Sequence, residues 1–274
     1  MNFFKAFIYS NLFVAIVLVF FCLNTYIYGS IDPEPLYLTF IGFSSFSLYG
    51  LHGIVGLKNI PSDSMTSRHQ WIKSNFKTIA VLSVVAALMA VLVFIVMKAA
   101  LLWFLPAVLV GFIYVLPVFK GKRLRDLPFV KLVVICLVVT YLCVLLPLKT
   151  AEIELNGLYL LERFLFLFAV TLPFDIRDQR IDNRNGDKTL VLLIGSRASL
   201  NLSTASLFLV MLLNLHFLQL FSDMALYFYI QFVAVGVAVL FNILHIRYRY
   251  SEWQYAVFYE GSLLLPGLLL VLLS

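Results

Sequence analysis

The chain has 274 residues, 62% hydrophobic and 12% charged, with a net charge of +6 and a mean hydropathy of +0.99. Soluble domains are about half apolar and about a quarter charged, so this composition excludes an ordinary soluble enzyme, a disordered chain and a disulfide scaffold. It describes a protein whose main solvent is lipid: nine crossings of roughly 20 residues each leave loops and no separate soluble domain, so residues 1–274 are expected to form one integral membrane domain.

The first apolar run, Ala6 to about Tyr28, follows a short basic start at Lys5. A signal peptide is the rival reading, but its apolar region would be unusually long and no small-x-small site closes it. Phe20-Phe21 before Cys22 also argues against a lipoprotein site, so a retained helix is expected. The second run, about Pro35–Leu57, carries Tyr49 and His52 three residues apart, on one helix face. The third and fourth are about Phe76–Val96 and Ala99–Val118. Taken as one helix, Thr78–Phe119 would be about 63 Å long, twice the hydrocarbon thickness, so a tight turn near Lys98 must divide it.

Five more runs follow at about Phe129–Leu148, Gly157–Phe174, Ser199–Leu220, Met224–His245 and Tyr255–Leu273. A chain crossing lipid must satisfy its own backbone polar groups, and runs of this length without alternation select helices over barrel strands. The expected fold is therefore all-α, a multi-pass transmembrane bundle of nine helices. Cys22, Cys136 and Cys143 lie in apolar runs without metal-ligand spacing and read as small buried hydrophobes.

With nine spans, seventeen of the 20 Lys and Arg residues fall on one side; the other holds Lys98, Lys149 and Arg163. That bias puts the first side in the cytoplasm. It also accounts for the net charge without nucleic acid, for which no basic face is available. The expected location is the bacterial cytoplasmic membrane.

Chemistry concentrates at the cytoplasmic end of the sixth span, where Asp175, Asp178 and Asp182 are spaced i, i+3, i+7. On an α-helix they share one face within roughly 60°, while Arg177, Arg180 and Arg184 are expected to point broadly the other way. Three converging carboxylates repel unless a cation joins them. Hard oxygen ligands favour Mg²⁺, often shared with substrate phosphates. The alternative is a solvated helix end whose aspartates are neutralised by the interleaved arginines.

The pattern Asp175-x-x-Asp178-x-x-x-Asp182, then Gly186-x-Lys188-Thr189-Leu190 and Gly195-x-x-Ala198, resembles the second aspartate-rich motif of the UbiA superfamily of intramembrane prenyltransferases. The nine-span layout is similar to that family too. The resemblance implies a helical bundle with a central cavity open towards lipid, in which Mg²⁺ on aspartates grips a prenyl diphosphate and an aromatic or other lipophilic acceptor attacks the allylic carbon. It makes Asp175, Asp178 and Asp182 the metal ligands. Diphosphate-binding candidates are Lys188, inside the motif, with Arg68, Lys122 and Arg123, although a positive-inside bias alone also accounts for these cations.

The family's first motif, Asn-Asp-x-x-Asp-x-x-x-Asp, belongs at the end of the second span, and no Asp lies between Ser44 and Ser62. Tyr49 and His52 are the polar residues left there. His52 could bond diphosphate, ligate a metal, act as a base, or serve as an interfacial packing residue. Either one metal cluster, helped by Arg68 or Lys58, suffices, or the chain binds an isoprenoid or quinone without turnover. A transporter fits less well, because the ionisable cluster is at the rim and no internal duplication is visible.

Glu162, Arg163 and Glu260 lie inside spans, where ionisable residues are functional candidates. For Arg163 the alternative is that it snorkels to the outer interface. Glu260 cannot reach as far; it is expected to face the cavity and meet a basic loop residue.

Overall fold

The computed structural model describes residues 3–57, 60, 65–98, 101–115, 130–186, 188–248 and 250–273. Among these residues the chain is all helix, without strands. The elements are α1 (Phe3–Tyr9), α2 (Leu12–Tyr28), α3 (Pro35–Leu57), α4 (Ser67–Ser74), α5 (Phe76–Val96), α6 (Leu101–Val115) and α7 (Val130–Thr140). They continue with α8 (Leu146–Thr150), α9 (Gly157–Asn185), α10 (Leu190–Ile194), α11 (Ser196–Leu220), α12 (Ala225–Arg247), α13 (Glu252–Tyr255) and α14 (Gly261–Leu273). A π-helical turn, Tyr141–Leu145, joins α7 to α8, and a second, Ala256–Glu260, joins α13 to α14.

Among the described residues, seven helical stretches are long and apolar enough to cross a membrane, or eight if the α1–α2 pair counts as one span. Two of the nine expected spans are not among the seven. The first span is broken by 65° between α1 and α2, because Asn11 takes a left-handed conformation (φ 66°) that Asn tolerates better than most side chains. The fourth, expected over Ala99–Val118, is described as α6 (Leu101–Val115), and its remaining residues lie outside the described ones. The division near Lys98 occurs as expected: α5 ends at Val96 and Lys98 has φ 49°.

The elements share one large apolar core, drawing on Phe21 and Tyr26 of α2, Phe166 and Leu172 of α9, Phe217 of α11 and Phe228 of α12. Much of α5 stays outward and apolar (Leu88 and Ile95 are both exposed), as a lipid-facing helix must be. Where α14 crosses α2, a side chain at Gly267 would put its Cβ 2.6 Å from the Phe20 carbonyl oxygen. Small residues at such crossings let helix backbones approach closely. Cys22, Cys136 and Cys143 are buried and unbridged.

The core also holds a charged pair. Arg163 does not snorkel outward; it is 1% exposed, as is Glu162. Its guanidinium pairs with the Glu162 carboxylate and donates to Gln231 Oε1 at 3.0 Å. Asn214 donates to the same carboxylate at 3.0 Å. Tyr227 bridges Asn24 and Tyr159 through its hydroxyl. The pair therefore ties α2, α9, α11 and α12 together. The reason is physical: enough polar partners surround Arg163 in the bundle to replace the water it would otherwise seek.

Candidate functional site

Helix α9 runs unbroken through Pro173 and the aspartates to Asn185, where Gly186 ends it with φ 73°. Asp175, Asp178 and Asp182 thus ride on one rigid helix. They line a cavity of about 340 Å³ with parts of α2, α3, α4, α7 and the α13–α14 region. Tyr49, His52, Arg68, Lys188 and Glu260 line the same cavity. His52 and Lys188 are exposed, while Tyr49, Arg68 and Glu260 are half-buried. Lys122, Arg123 and Lys58 lie outside the described residues.

The deeper walls are apolar: Val14, Val17, Leu18, Val139, Leu167 and Leu263. The cavity therefore has one charged end and one greasy end, the division expected of a pocket for an amphiphile.

The charged end is internally compensated. Lys131 Nζ lies 3.7 Å from Asp175 Oδ1 and 4.0 Å from Asp182 Oδ2. Arg177 forks onto Asp178 with two hydrogen bonds of 2.8 Å. This corrects the expected orientation of Arg177. Neighbouring residues do not normally face each other on a helix, but the long Arg177 side chain folds back over Asp178. Its guanidinium lies 5.0 Å from the Phe174 ring, and cation–π contact favours that position. Arg180 and Arg184 are exposed, in keeping with the outward face. Among the described residues no three His, Cys, Asp or Glu side chains are gathered closely enough to hold a metal as they stand.

The donor set nonetheless fits a hard divalent ion. The three aspartates offer hard oxygens, and Lys131 and Arg177 are the cations that now neutralise them. Thr189 Oγ1, in the cavity wall beside Lys188, is buried without a hydrogen-bond partner among the described residues, which leaves polar capacity for a ligand.

Arg68 is set by its surroundings. The capping box of α4 pairs the Thr66 hydroxyl with His69 Nδ1 at 2.7 Å. The Arg68 backbone N–H donates to Glu252 at 2.7 Å, and its guanidinium donates to Asn11 Oδ1 at 2.6 Å. Burial lowers the Arg68 pKa from its usual value, and the nearby Arg177 charge acts in the same direction. Burial also pushes His69 below the ordinary imidazole range. The α1–α2 break therefore delivers a polar side chain to the cavity, and α13 supplies the acceptor that docks α4.

Sequence reasoning did not single out Asn11, Lys131, His69 or Glu252. Ser10-Asn11 was legible as a polar interruption of an apolar run; Lys131 was not, because a lysine at a span end looks like any positive-inside residue.

No family model and no curated protein matches the sequence. Two solved structures match the fold. A UbiA homologue from Archaeoglobus fulgidus bound to GPP and Mg²⁺ has a TM-score of 0.59 at 11% identity, covering 96% of this chain and 99% of that one. A UbiA homologue from the same organism bound to DMAPP and Mg²⁺ has a TM-score of 0.56 at 12% identity, covering 99% and 98%. This chain therefore has a UbiA-like fold along nearly its whole length.

Proposed function

We propose that this protein is an integral membrane prenyltransferase that moves an isoprenyl group from a prenyl diphosphate to an aromatic or other lipophilic acceptor, with Mg²⁺. The carrying observation is a single cavity that joins the α9 aspartates and four cations, Arg68, Lys131, Arg177 and Lys188, to an apolar interior. The fold neighbours bound to GPP or DMAPP with Mg²⁺ support the same reading.

In this proposal Asp175, Asp178 and Asp182 hold the metal, which when bound stabilises negative charge on the departing diphosphate. Arg68, Lys131, Arg177 and Lys188 offset the remaining charge of the diphosphate. Tyr49 and Phe174 line the same cavity, where aromatic rings stabilise an allylic cation, and the apolar wall takes the prenyl tail. Residues 1–274 act as one unit in the bacterial cytoplasmic membrane, with the aspartate segment on the cytoplasmic face, as the Lys/Arg bias supports.

A second reading, a protein that binds an isoprenoid or quinone without turnover, draws on two observations. The cavity-facing part of α3 offers Tyr49, His52, Gly53 and Gly56 but no carboxylate, and the α9 aspartates already have protein counterions.

The test is prenyl transfer by the purified protein in liposomes with a panel of prenyl diphosphates and acceptors. The proposal expects Mg²⁺-dependent transfer and a loss of roughly 100-fold or more in Asp178→Asn, the scale of removing a main electrostatic group from a site. An active wild type with an unimpaired Asp178→Asn variant rejects the site. Saturable isoprenoid binding that is indifferent to Mg²⁺, without turnover, favours the second reading.

A further inference from the structure

Among the described residues five carboxylates line the cavity, and four of them are engaged. Asp175 and Asp182 face Lys131, Asp178 is forked by Arg177, and Glu252 accepts the Arg68 backbone N–H. Among the described residues Glu260 has no hydrogen bond and no ion pair within 4.0 Å, although it is half-buried and sits in the cavity wall.

An ionisable side chain inside a membrane bundle is costly unless something uses it. The local backbone is unusual as well. Glu260 ends the π-helical turn Ala256–Glu260, and single π turns recur at functional sites because they rotate the following residues out of register. Here the turn buries Tyr259, whose hydroxyl meets His245 at 2.8 Å, and leaves the next residue, Glu260, on the cavity. The charges of Arg68 and Arg177 bear on Glu260, and Tyr49 lies within its electrostatic reach.

We propose that Glu260 is the proton acceptor of the transfer, and that the acceptor is a nucleophile bearing a removable proton that docks against the start of the last span, in the cavity the α9 aspartates also line. This rests on the prenyltransferase reading above. The allylic C–O bond breaks and its electron pair leaves with diphosphate. The acceptor gives an electron pair to the allylic carbon. The proton released from the acceptor passes to a Glu260 carboxylate oxygen and from there to water. The division of labour follows from the partners: carboxylates already matched to cations serve the anionic donor, and the unmatched one remains for a proton.

The experiment uses the full-length protein in nanodiscs with Mg²⁺ and GPP labelled with ¹⁸O in the C–O–P bridge, and water as the acceptor. Movement of label from bridging to non-bridging positions reports C–O cleavage and return; release of the C10 alcohol reports capture by water. Wild type should show both. Glu260→Gln should keep label movement within about twofold while alcohol release falls roughly 100-fold, the usual scale of general-base catalysis. Glu260→Asp should recover part of that loss, and it also serves as the second variant should Glu260→Gln fold poorly. Asp178→Asn should lose both signals. Equal loss of both signals in Glu260→Gln and Glu260→Asp would overturn the assignment, because Glu260 would then act on the donor. Unchanged alcohol release in Glu260→Gln would overturn it as well. A wild type showing neither signal would instead sink the prenyltransferase reading, and the proton acceptor with it.

Discussion

Arg177 and Arg163 are both arginines next to an acid in α9, and both form an ion pair with that neighbour. Their surroundings make them different. The Arg177–Asp178 pair borders the cavity, with side-chain exposures of 15% and 32%, so a ligand can replace either partner. The Arg163–Glu162 pair is sealed, and its remaining polar capacity is met by Asn214 and Gln231. Removing one member of a sealed pair strands the other charge, at a cost of about 3–5 kcal/mol. Arg163→Met should therefore lower the thermal unfolding midpoint in detergent strongly. The double variant Glu162→Gln/Arg163→Met should recover much of the loss, because it leaves no buried charge. A double variant as unstable as the single one would mean that packing, not charge, dominates. The spacing of the aspartates was legible in the sequence, since helical periodicity alone puts them on one face. The positions of Arg177 and Arg163 were not, because a long side chain can fold either way and the sequence does not state which polar groups the bundle brings near.

Helix α4 shows how a short element holds a site. Its eight residues are too few to be stable as an isolated helix. The capping box, the Glu252 contact and the Asn11 contact hold it against the cavity. In the capping box His69 Nδ1 faces the Thr66 hydroxyl, so protonating the imidazole removes an acceptor. The folded His69 pKa lies below the ordinary 6.5 because of burial, so the unfolded segment binds protons that the folded one refuses. The associated stability is present above pH 6.5 and is lost as pH falls from there through the lower folded value. Amide hydrogen exchange over residues 68–75 should accelerate between pH 7.5 and 5.5, after correction for intrinsic rates, and His69→Gln should flatten that dependence. An unchanged protection factor would remove His69 from the account. The sequence hid this element because α4 is polar and lies between apolar runs, where a loop is the natural reading. The break before α2 and the π turn before α14 were equally hidden, since hydropathy registers neither a 65° bend nor one extra residue per turn.

At the scale of the whole molecule, hydropathy located the crossings well because lipid imposes length and composition directly. Among the described residues it missed the 65° bend between α1 and α2, and part of the fourth run it located lies outside those residues. The site was legible through one motif, the aspartate face of α9. The opposite wall was not, because its contributors come from α1–α2, α3, α4 and α13–α14, which only tertiary structure brings together. Its α3 part carries no carboxylate and offers His52 and Tyr49, with Arg68 from α4 in the same lining. The central claim is that this cavity holds a prenyl diphosphate through a divalent ion on the α9 aspartates. The most direct measurement is calorimetric titration of GPP into the nanodisc-embedded protein, with and without Mg²⁺, for wild type and Asp175→Asn/Asp178→Asn. The account predicts saturable binding by wild type that chelation of Mg²⁺ abolishes and that the double variant lacks. Equal affinity in wild type and variant, unaffected by chelation, would contradict it.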